Sequence, residues 1–272
     1  MRRVTVLLSR PAARVLAPGV ASACCAALLA GMAVAGPWPL FAVVLLIQVV
    51  TGLAWLAATE VPGSLGAAVV ITAAAAGMDV LAVRRGHTGV EATAAVIALA
   101  FIAAVAYQLI RRARSRVTES LAVTMAGVVV AVLLSHLLVL QATRNGESLT
   151  AVALLSIAAA QLVGRAVDAV GVRARLVPGA GRGWLALLAG SAAGTLTGAL
   201  LGRSTDPLST GSGAALGLAV ALAAAAADLA VDVTAGDEID ERRRAALRPL
   251  STCLPVMAAA PVAYAATRLL VG

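Results

Sequence analysis

Charged and aromatic residues are scarce in this sequence, and their scarcity excludes a water-soluble protein. Only 12% of the 272 residues are charged and 3% are aromatic, whereas 61% are hydrophobic. A soluble domain of this length would need far more charge to cover its surface, so the composition indicates an integral membrane protein. Because a backbone exposed to lipid must satisfy its own hydrogen bonds, we expect an all-α polytopic helix bundle.

Lysine is absent, and all 21 basic residues are therefore arginine. Together with the abundance of Ala, Val, Leu and Gly, this bias indicates a GC-rich bacterial genome. The three cysteines, Cys24, Cys25 and Cys253, lie in apolar runs without the spacing of a zinc site or a disulfide framework. No motif of a soluble enzyme is present, neither a phosphate loop nor a cluster of metal ligands.

Nine segments are long and apolar enough to cross a bilayer, which takes about 20 residues of helix. Turn signals such as Gly36-Pro37 and Pro62-Gly63 separate the first of them. We expect an N-terminal three-span region over residues 1–90 and a six-span region over 91–272, joined in one continuous membrane domain. Numbered in chain order, the predicted spans lie near 15–35, 38–58, 64–83, 90–110, 119–141, 149–170, 184–202, 212–233 and 248–270.

The arginines are divided unevenly between the two ends of these spans. If the N-terminus is cytoplasmic, fifteen arginines fall inside, five fall outside and Arg165 lies within span six. This asymmetry follows the positive-inside rule and predicts a multi-pass protein of the bacterial plasma membrane with an outer C-terminus. The same clustering argues against nucleic acid as a partner, despite a net charge of +8. The five outer arginines are Arg84, Arg85, Arg144, Arg203 and Arg268.

Four ionisable residues fall near the predicted cytoplasmic ends of spans six and eight. Arg165 and Asp168 are three residues apart, and Asp228 and Asp232 are four apart, so each pair shares a helix face. Ionisable groups within spans usually face the protein interior or water. Two interpretations stay open, namely a polar pocket that faces the cytoplasm and structural ion pairs, such as one between Arg165 and Asp228.

Two further ionisable residues lie toward the predicted outer side. His136 falls within span five, where a hydrogen-bonded interior group is the expected role. Asp79 lies near the outer end of span three and is followed by arginines, which favours a solvated residue at the membrane interface.

Span seven carries a stripe of glycines at every fourth position. Such spacing allows another helix backbone to approach closely. Packing inside one bundle is the favoured interpretation, and a homodimer face is the alternative. The stripe comprises Gly190, Gly194, Gly198 and Gly202.

From about residue 90 onward the order of elements resembles the phosphatidate cytidylyltransferase (CDP-diacylglycerol synthase) family, whose members are polytopic membrane enzymes that couple CTP to phosphatidate. AQLVGR at 160–165 resembles the family's A-Y-x-x-G-R, and PGAGRGWLALLAG at 178–190 resembles its S-P-K-K-T-W-E-G segment. LGLAVALAAAAADLAVDVTAGD at 216–237 resembles the helix that ends G-D-L-x-E-S-x-x-K-R-D. AAPVAYAATRLL at 259–270 resembles the last helix of the family.

The resemblance implies catalytic and Mg²⁺-binding roles for Asp228, and the nearby Asp232 is a candidate substitute in both roles. A metal site built from Asp228, Asp232 and Asp168 would differ from the family's own site. Arg165 and Arg182 would bind substrate phosphates, and membrane lipids, CTP and phosphatidate would be the ligands. Several family positions are changed, however. Ile157 replaces an Asp, Val231 replaces a Glu, and the H-G-G-x-x-D-R-x-D signature that should precede the last helix is absent.

Three functions are therefore open. The first is a weakly active or non-catalytic relative of the synthase that binds lipid or nucleotide, or regulates a partner synthase. The second is an active, Mg²⁺-dependent cytidylyltransferase with a relocated metal site. The third is a transporter of a small solute or lipid, with Asp228, Arg165 and His136 on its path.

Overall fold

The chain folds into α-helices throughout the residues that the computed structural model describes, which are 10–59, 64–86, 90–111, 116–170, 183–235 and 241–271. These ranges contain ten α-helices and no β-strand. The helices are α1 (Arg10–Ala35), α2 (Pro37–Thr59), α3 (Ser64–Arg85), α4 (Val90–Ile110), α5 (Val117–Leu134), α6 (His136–Gln141), α7 (Gly146–Val170), α8 (Trp184–Gly202), α9 (Thr210–Ala235) and α10 (Glu241–Val271).

Nine helical segments of the described chain are long and apolar enough to cross a membrane, with mean hydropathy between 1.5 and 2.5. The expected all-α polytopic bundle is thereby confirmed. The predicted bounds are close to the observed ones, and span seven coincides with α8. The agreement has a physical reason, because bilayer thickness fixes how many apolar residues each helix needs.

Span five differs from the prediction of one continuous helix, since it consists of α5 and the short helix α6. The two helices are separated at Ser135, whose N–H donates to the carbonyl of Val132, three residues back, at 3.1 Å. The carbonyl of Ala131, which would accept this N–H in a regular α-helix, is therefore available to a side chain.

Helices distant in sequence form the most extensive contacts besides those between chain neighbours. α1 packs along α7, although the two belong to different predicted regions, and α10 packs against both α9 and α2. α7, α8 and α9 pack closely on one another. The regions 1–90 and 91–272 therefore share contacts between membrane helices.

Glycine explains the close approach of α8 to α9 and α7. A Cβ built on Gly198 would overlap the carbonyl oxygen of Gly213, and one on Gly190 would lie 2.7 Å from the carbonyl oxygen of Ala160. These distances leave no room for a side chain. All four glycines of the stripe face helices of their own chain, namely Gly190, Gly194, Gly198 and Gly202.

Candidate functional site: a buried charge cluster at one end of the bundle

The predicted ionisable residues of spans six and eight meet in one buried cluster. Arg165 Nη2 lies 2.5 Å from Asp228 Oδ1, and its Nη1 and Nη2 each lie 3.4 Å from an oxygen of Asp232. The side chains of Arg165, Asp228 and Asp232 are 6%, 1% and 18% exposed. One guanidinium thus faces two carboxylates, and only Asp232 retains appreciable access to solvent.

The fold places these groups together because α7 and α9 pack against each other. Asp228 and Asp232 are one helical turn apart on α9, and both face Arg165 on α7. This arrangement matches the structural ion pair that was one of the two interpretations from sequence.

A third helix closes over the arginine, and sequence reasoning missed it. A Cβ built on Gly19 of α1 would lie 2.5 Å from Arg165 Cγ and 2.6 Å from its Cβ. The missing side chain at Gly19 lets α1 cover the aliphatic stem of the arginine. The available signal was a glycine directly after Pro18 in the first span.

Asp168 lies on the same helix as Arg165 and holds a helix terminus. Its Oδ1 accepts a hydrogen bond of 3.0 Å from the N–H of Gly183, the residue immediately before α8. A carboxylate at this position satisfies one of the N–H groups that a helix start leaves without an intrahelical acceptor, and it complements the helix dipole. Asp168 therefore fixes where α8 begins relative to α7.

The cluster has carboxylates but not an evident metal-ligand set. In the part of the chain that the structure describes, no three His, Cys, Asp or Glu residues are placed to hold a metal ion together. A divalent cation bound by Asp228 and Asp232 would have to displace the Arg165 guanidinium. Mg²⁺ at these carboxylates therefore stays a prediction, as does phosphate binding by Arg165, and Arg182 lies outside the described residues.

A second polar cluster lies within the apolar bundle, between α2, α3 and the break in span five. Gln48 Nε2 lies 3.2 Å from Asp79 Oδ1, 3.1 Å from the Ala131 carbonyl oxygen and 3.1 Å from Ser135 Oγ. The prediction that Asp79 is solvated is wrong, because its side chain is 0% exposed. The packing of α3 against α2 and α5 turns this carboxylate inward.

The break at Ser135 makes this second cluster possible. It frees the Ala131 carbonyl and places a hydroxyl beside it, so that backbone and side-chain oxygens converge on one amide. Within the described ranges no arginine or histidine forms an ion pair with Asp79. A glutamine in the middle of span two was the signal that could have revealed the site.

His136 follows the break directly and is half-buried. Its Nδ1 lies 3.1 Å from the carbonyl oxygen of Leu133, and its ring centroid lies 5.9 Å from that of Tyr264 on α10. These contacts agree with the expected role as a hydrogen-bonded interior group.

Comparisons with known proteins leave the family open. No family model, no curated protein and no solved structure matches this chain. The resemblance to the cytidylyltransferases therefore remains a hypothesis that depends on the sequence stretches quoted above.

Proposed function

We propose that this chain is a multi-pass protein of the bacterial plasma membrane that resembles CDP-diacylglycerol synthase but is weakly active or non-catalytic. In this proposal it binds a phosphate-bearing lipid or nucleotide, or acts as a regulatory partner of a synthase. The observation that supports it best is the contact of Arg165 with both Asp228 and Asp232.

The charge cluster disfavours nucleotidyl transfer for an electrostatic reason. Phosphoryl-type chemistry depends on metal ions that bridge the phosphates, and Mg²⁺ is held by one or two protein carboxylates. Here the two carboxylates face a guanidinium that already compensates one of their two negative charges. A metal bound by these carboxylates would displace the Arg165 guanidinium and deprive this buried cation of its two ion pairs, at a cost of about 3–5 kcal/mol.

Binding without turnover would use the same end of the bundle. Asp232 is the most exposed member of the cluster, and the arginines at this end supply positive charge for phosphates. CTP and phosphatidate are the ligands that the resemblance suggests. A partner synthase or a second copy of this chain is the corresponding protein partner.

A turnover assay with a parallel binding measurement tests the proposal. Purified protein is reconstituted with phosphatidate, labelled CTP and Mg²⁺, with an active synthase as the positive control, and Asp228→Asn is assayed beside it. We expect no Mg²⁺-dependent CDP-diacylglycerol but saturable binding of labelled CTP or phosphatidate.

Two results would overturn parts of the proposal. Product that disappears in Asp228→Asn would establish an active enzyme with a metal site different from that of the family. Absence of both product and binding, in a folded sample, would exclude a lipid- or nucleotide-binding role for these two ligands and leave the regulatory role to be tested by co-purification with a synthase.

The second candidate function is transport, and the Gln48–Asp79–Ser135 cluster favours it. Ionisable groups in a membrane interior often mark pathways of ions or protons, and freed carbonyls at broken helices coordinate cations in transporters. Proteoliposomes under a sodium or proton gradient would reveal flux that Asp79→Asn abolishes and the exposed-site variant Glu119→Gln preserves. No flux in the unmodified protein under either gradient would rule out ion-coupled transport through Asp79.

A further inference from the structure

A cavity of about 460 Å³ lies at the end of the bundle opposite the Arg165 cluster. Three parts of the chain meet there: the turn between α6 and α7, the turn between α8 and α9, and the last turn of α10. The arginine distribution predicts this end to be the outer one. The cavity has the volume of a small-molecule site, for which about 300–1,000 Å³ is typical.

Two arginines line this cavity without internal partners. Arg144 and Arg268 contribute to the lining, and neither forms an ion pair or a side-chain hydrogen bond with any described residue. A guanidinium presents five N–H donors in a planar fork that matches the oxygens of a phosphate. Two such groups at one cavity favour an anionic group with several oxygens.

Buried and fixed polar groups complete the lining. Thr267 is 4% exposed, and its hydroxyl has no hydrogen-bond partner in the described part of the chain. Asn145, which has a positive φ of 59°, donates from Nδ2 to the carbonyl oxygen of Asp206 at 3.1 Å and so ties the two turns together. The Thr267 oxygen is itself closed off from solvent, so the polar groups of the wall that a ligand can reach lie on the tied turns that carry Arg144 and Asp206.

Asp206 makes the charge of the cavity mixed instead of purely positive. A free phosphate would meet two favourable guanidinium groups and one unfavourable carboxylate. A zwitterion with a phosphate and an ammonium group suits all three, since its cation can approach Asp206 while its phosphate meets the arginines.

The surroundings indicate that such a zwitterion belongs to a lipid. The cavity lies at the ends of membrane-spanning helices, where head groups are found, and apolar Leu140, Leu149 and Val271 complete its wall. Of these three side chains, Val271 is partly exposed, at 36%. An apolar surface next to a polar cavity suits a ligand with acyl chains.

We propose that this cavity binds the head group of a zwitterionic phospholipid of the phosphatidylethanolamine type. Arg144 and Arg268 hold its phosphate, and Asp206 receives the ammonium group. The site is separate from the Arg165 cluster, so its test is independent of the proposed function.

Native mass spectrometry of the purified full chain tests this site with three lipids of matched acyl chains: phosphatidylethanolamine, phosphatidylglycerol and phosphatidylcholine. We expect phosphatidylethanolamine to bind most tightly. The Arg144→Gln/Arg268→Gln double variant should weaken its binding about tenfold or more, because charge-assisted hydrogen bonds are lost. Arg203→Gln, at an exposed arginine of the same end that does not line the cavity, should leave binding unchanged.

Asp206→Asn tests recognition of the ammonium group separately from recognition of the phosphate. This variant should lose the preference for phosphatidylethanolamine over phosphatidylglycerol, while Arg203→Gln should keep it. Soluble glycerophosphoethanolamine should compete with the lipid only weakly if acyl chains contribute, whereas full competition would assign the site to a free zwitterion.

Three outcomes would overturn the lipid site. Equal binding of the three lipids by the unmodified protein would mean ordinary annular lipid. Unchanged binding in the arginine double variant would show that the phosphate lies elsewhere. An unchanged head-group preference in Asp206→Asn would contradict the role of the carboxylate. Because the substituted side chains are exposed, we expect every variant to fold, and thermal unfolding in detergent verifies this.

Discussion

Arg165 is a buried cation that pairs with two aspartates, in a position where water contributes little to the stability of charged groups. Its guanidinium lies within 3.4 Å of Asp232 and closer to Asp228, and Gly19 allows α1 to cover its stem. An ion buried in this way is destabilising without its partner, so each member of the cluster depends on the others.

Arg165→Gln should therefore destabilise the folded protein strongly. We expect a loss of about 3–5 kcal/mol, because the buried carboxylate of Asp228 would lose its ion pair with the Arg165 guanidinium. Thermal unfolding in detergent would show this as a lowered Tm, with Arg203→Gln as the exposed control. Equal Tm values for the two variants would mean that the ion pairs contribute nothing to stability.

Asp79 poses the opposite test, since no cation of the described chain pairs with it. Asp79→Asn keeps the shape and an acceptor for Gln48 Nε2 and removes the charge, so stability should be retained or increased. Asp79→Leu removes the acceptor as well and should be less stable than Asp79→Asn by about 1–3 kcal/mol.

Chemical denaturation of both Asp79 variants in the same detergent would measure this order. If Asp79→Asn proved the less stable of the two, the negative charge itself would be stabilising, and a bound cation would be the explanation to pursue.

At the scale of helices, the seam between α8 and α9 is formed by backbone against backbone. Gly198 opposes Gly213 and Gly217, and no side chain separates the helices there. In lipid, such contacts stabilise through van der Waals packing, because lipid tails remove the hydrophobic drive for helices to associate.

A single methyl group should reveal how much this seam contributes. Gly198→Ala would place a Cβ against the carbonyl of Gly213 and within 2.9 Å of Gly217 Cα, so we expect a loss of about 1–3 kcal/mol. Gly77→Ala is the matched control on a helix, since no neighbouring helix lies within 4 Å of its built Cβ. That variant should be neutral or more stable, because Gly is intrinsically unfavourable in helices.

Unfolding measurements on the two alanine variants give the comparison. Similar stabilities would show that α8 and α9 can move apart without cost, which would argue against a tightly packed seam.

Sequence predicted which segments are helices better than it predicted which helices meet. Residue spacing placed Asp228 and Asp232 on one face, and it offered the pairing with Arg165 that the structure contains. The contact of Gly19 with Arg165 could not be read from periodicity, because spacing describes one helix at a time. The break at Ser135 was equally hidden, since the apolar run continues on both sides of Ser135 and His136 and no Pro or Gly adjoins them to signal a turn.

At the scale of the whole molecule, the orientation in the membrane is a prediction that depends on the arginine distribution alone. Introducing single cysteines into a variant that lacks Cys24, Cys25 and Cys253 would test it. A membrane-impermeant maleimide should label Ser204→Cys in intact cells, whereas Arg116→Cys should react only after permeabilisation, because the two lie at opposite predicted ends. The reverse labelling pattern would show that the topology is inverted. The Arg165 cluster would then lie at the outer end of the bundle and the cavity at the cytoplasmic end.

Function was less predictable than architecture for a similar reason. Bilayer thickness constrains every span, whereas chemistry depends on a few side chains, and those at Ile157 and Val231 depart from the family that the sequence resembles. The cavity lined by Arg144 and Arg268 was not predicted at all, because these arginines lie far apart in sequence and were interpreted only as topology signals.

The separation of Arg165 from Asp228 by 63 residues has a consequence for biosynthesis. A ribosome delivers α7 to the membrane before α9 has been translated, so the arginine enters without its final counter-ion. During this interval Asp168, one turn away on the same helix, is the nearest carboxylate in sequence. The Asp168 carboxylate can accept its hydrogen bond from the N–H of Gly183 only after α8 has been translated. The final position of α7 in the membrane should therefore depend on the translation of α8 and α9.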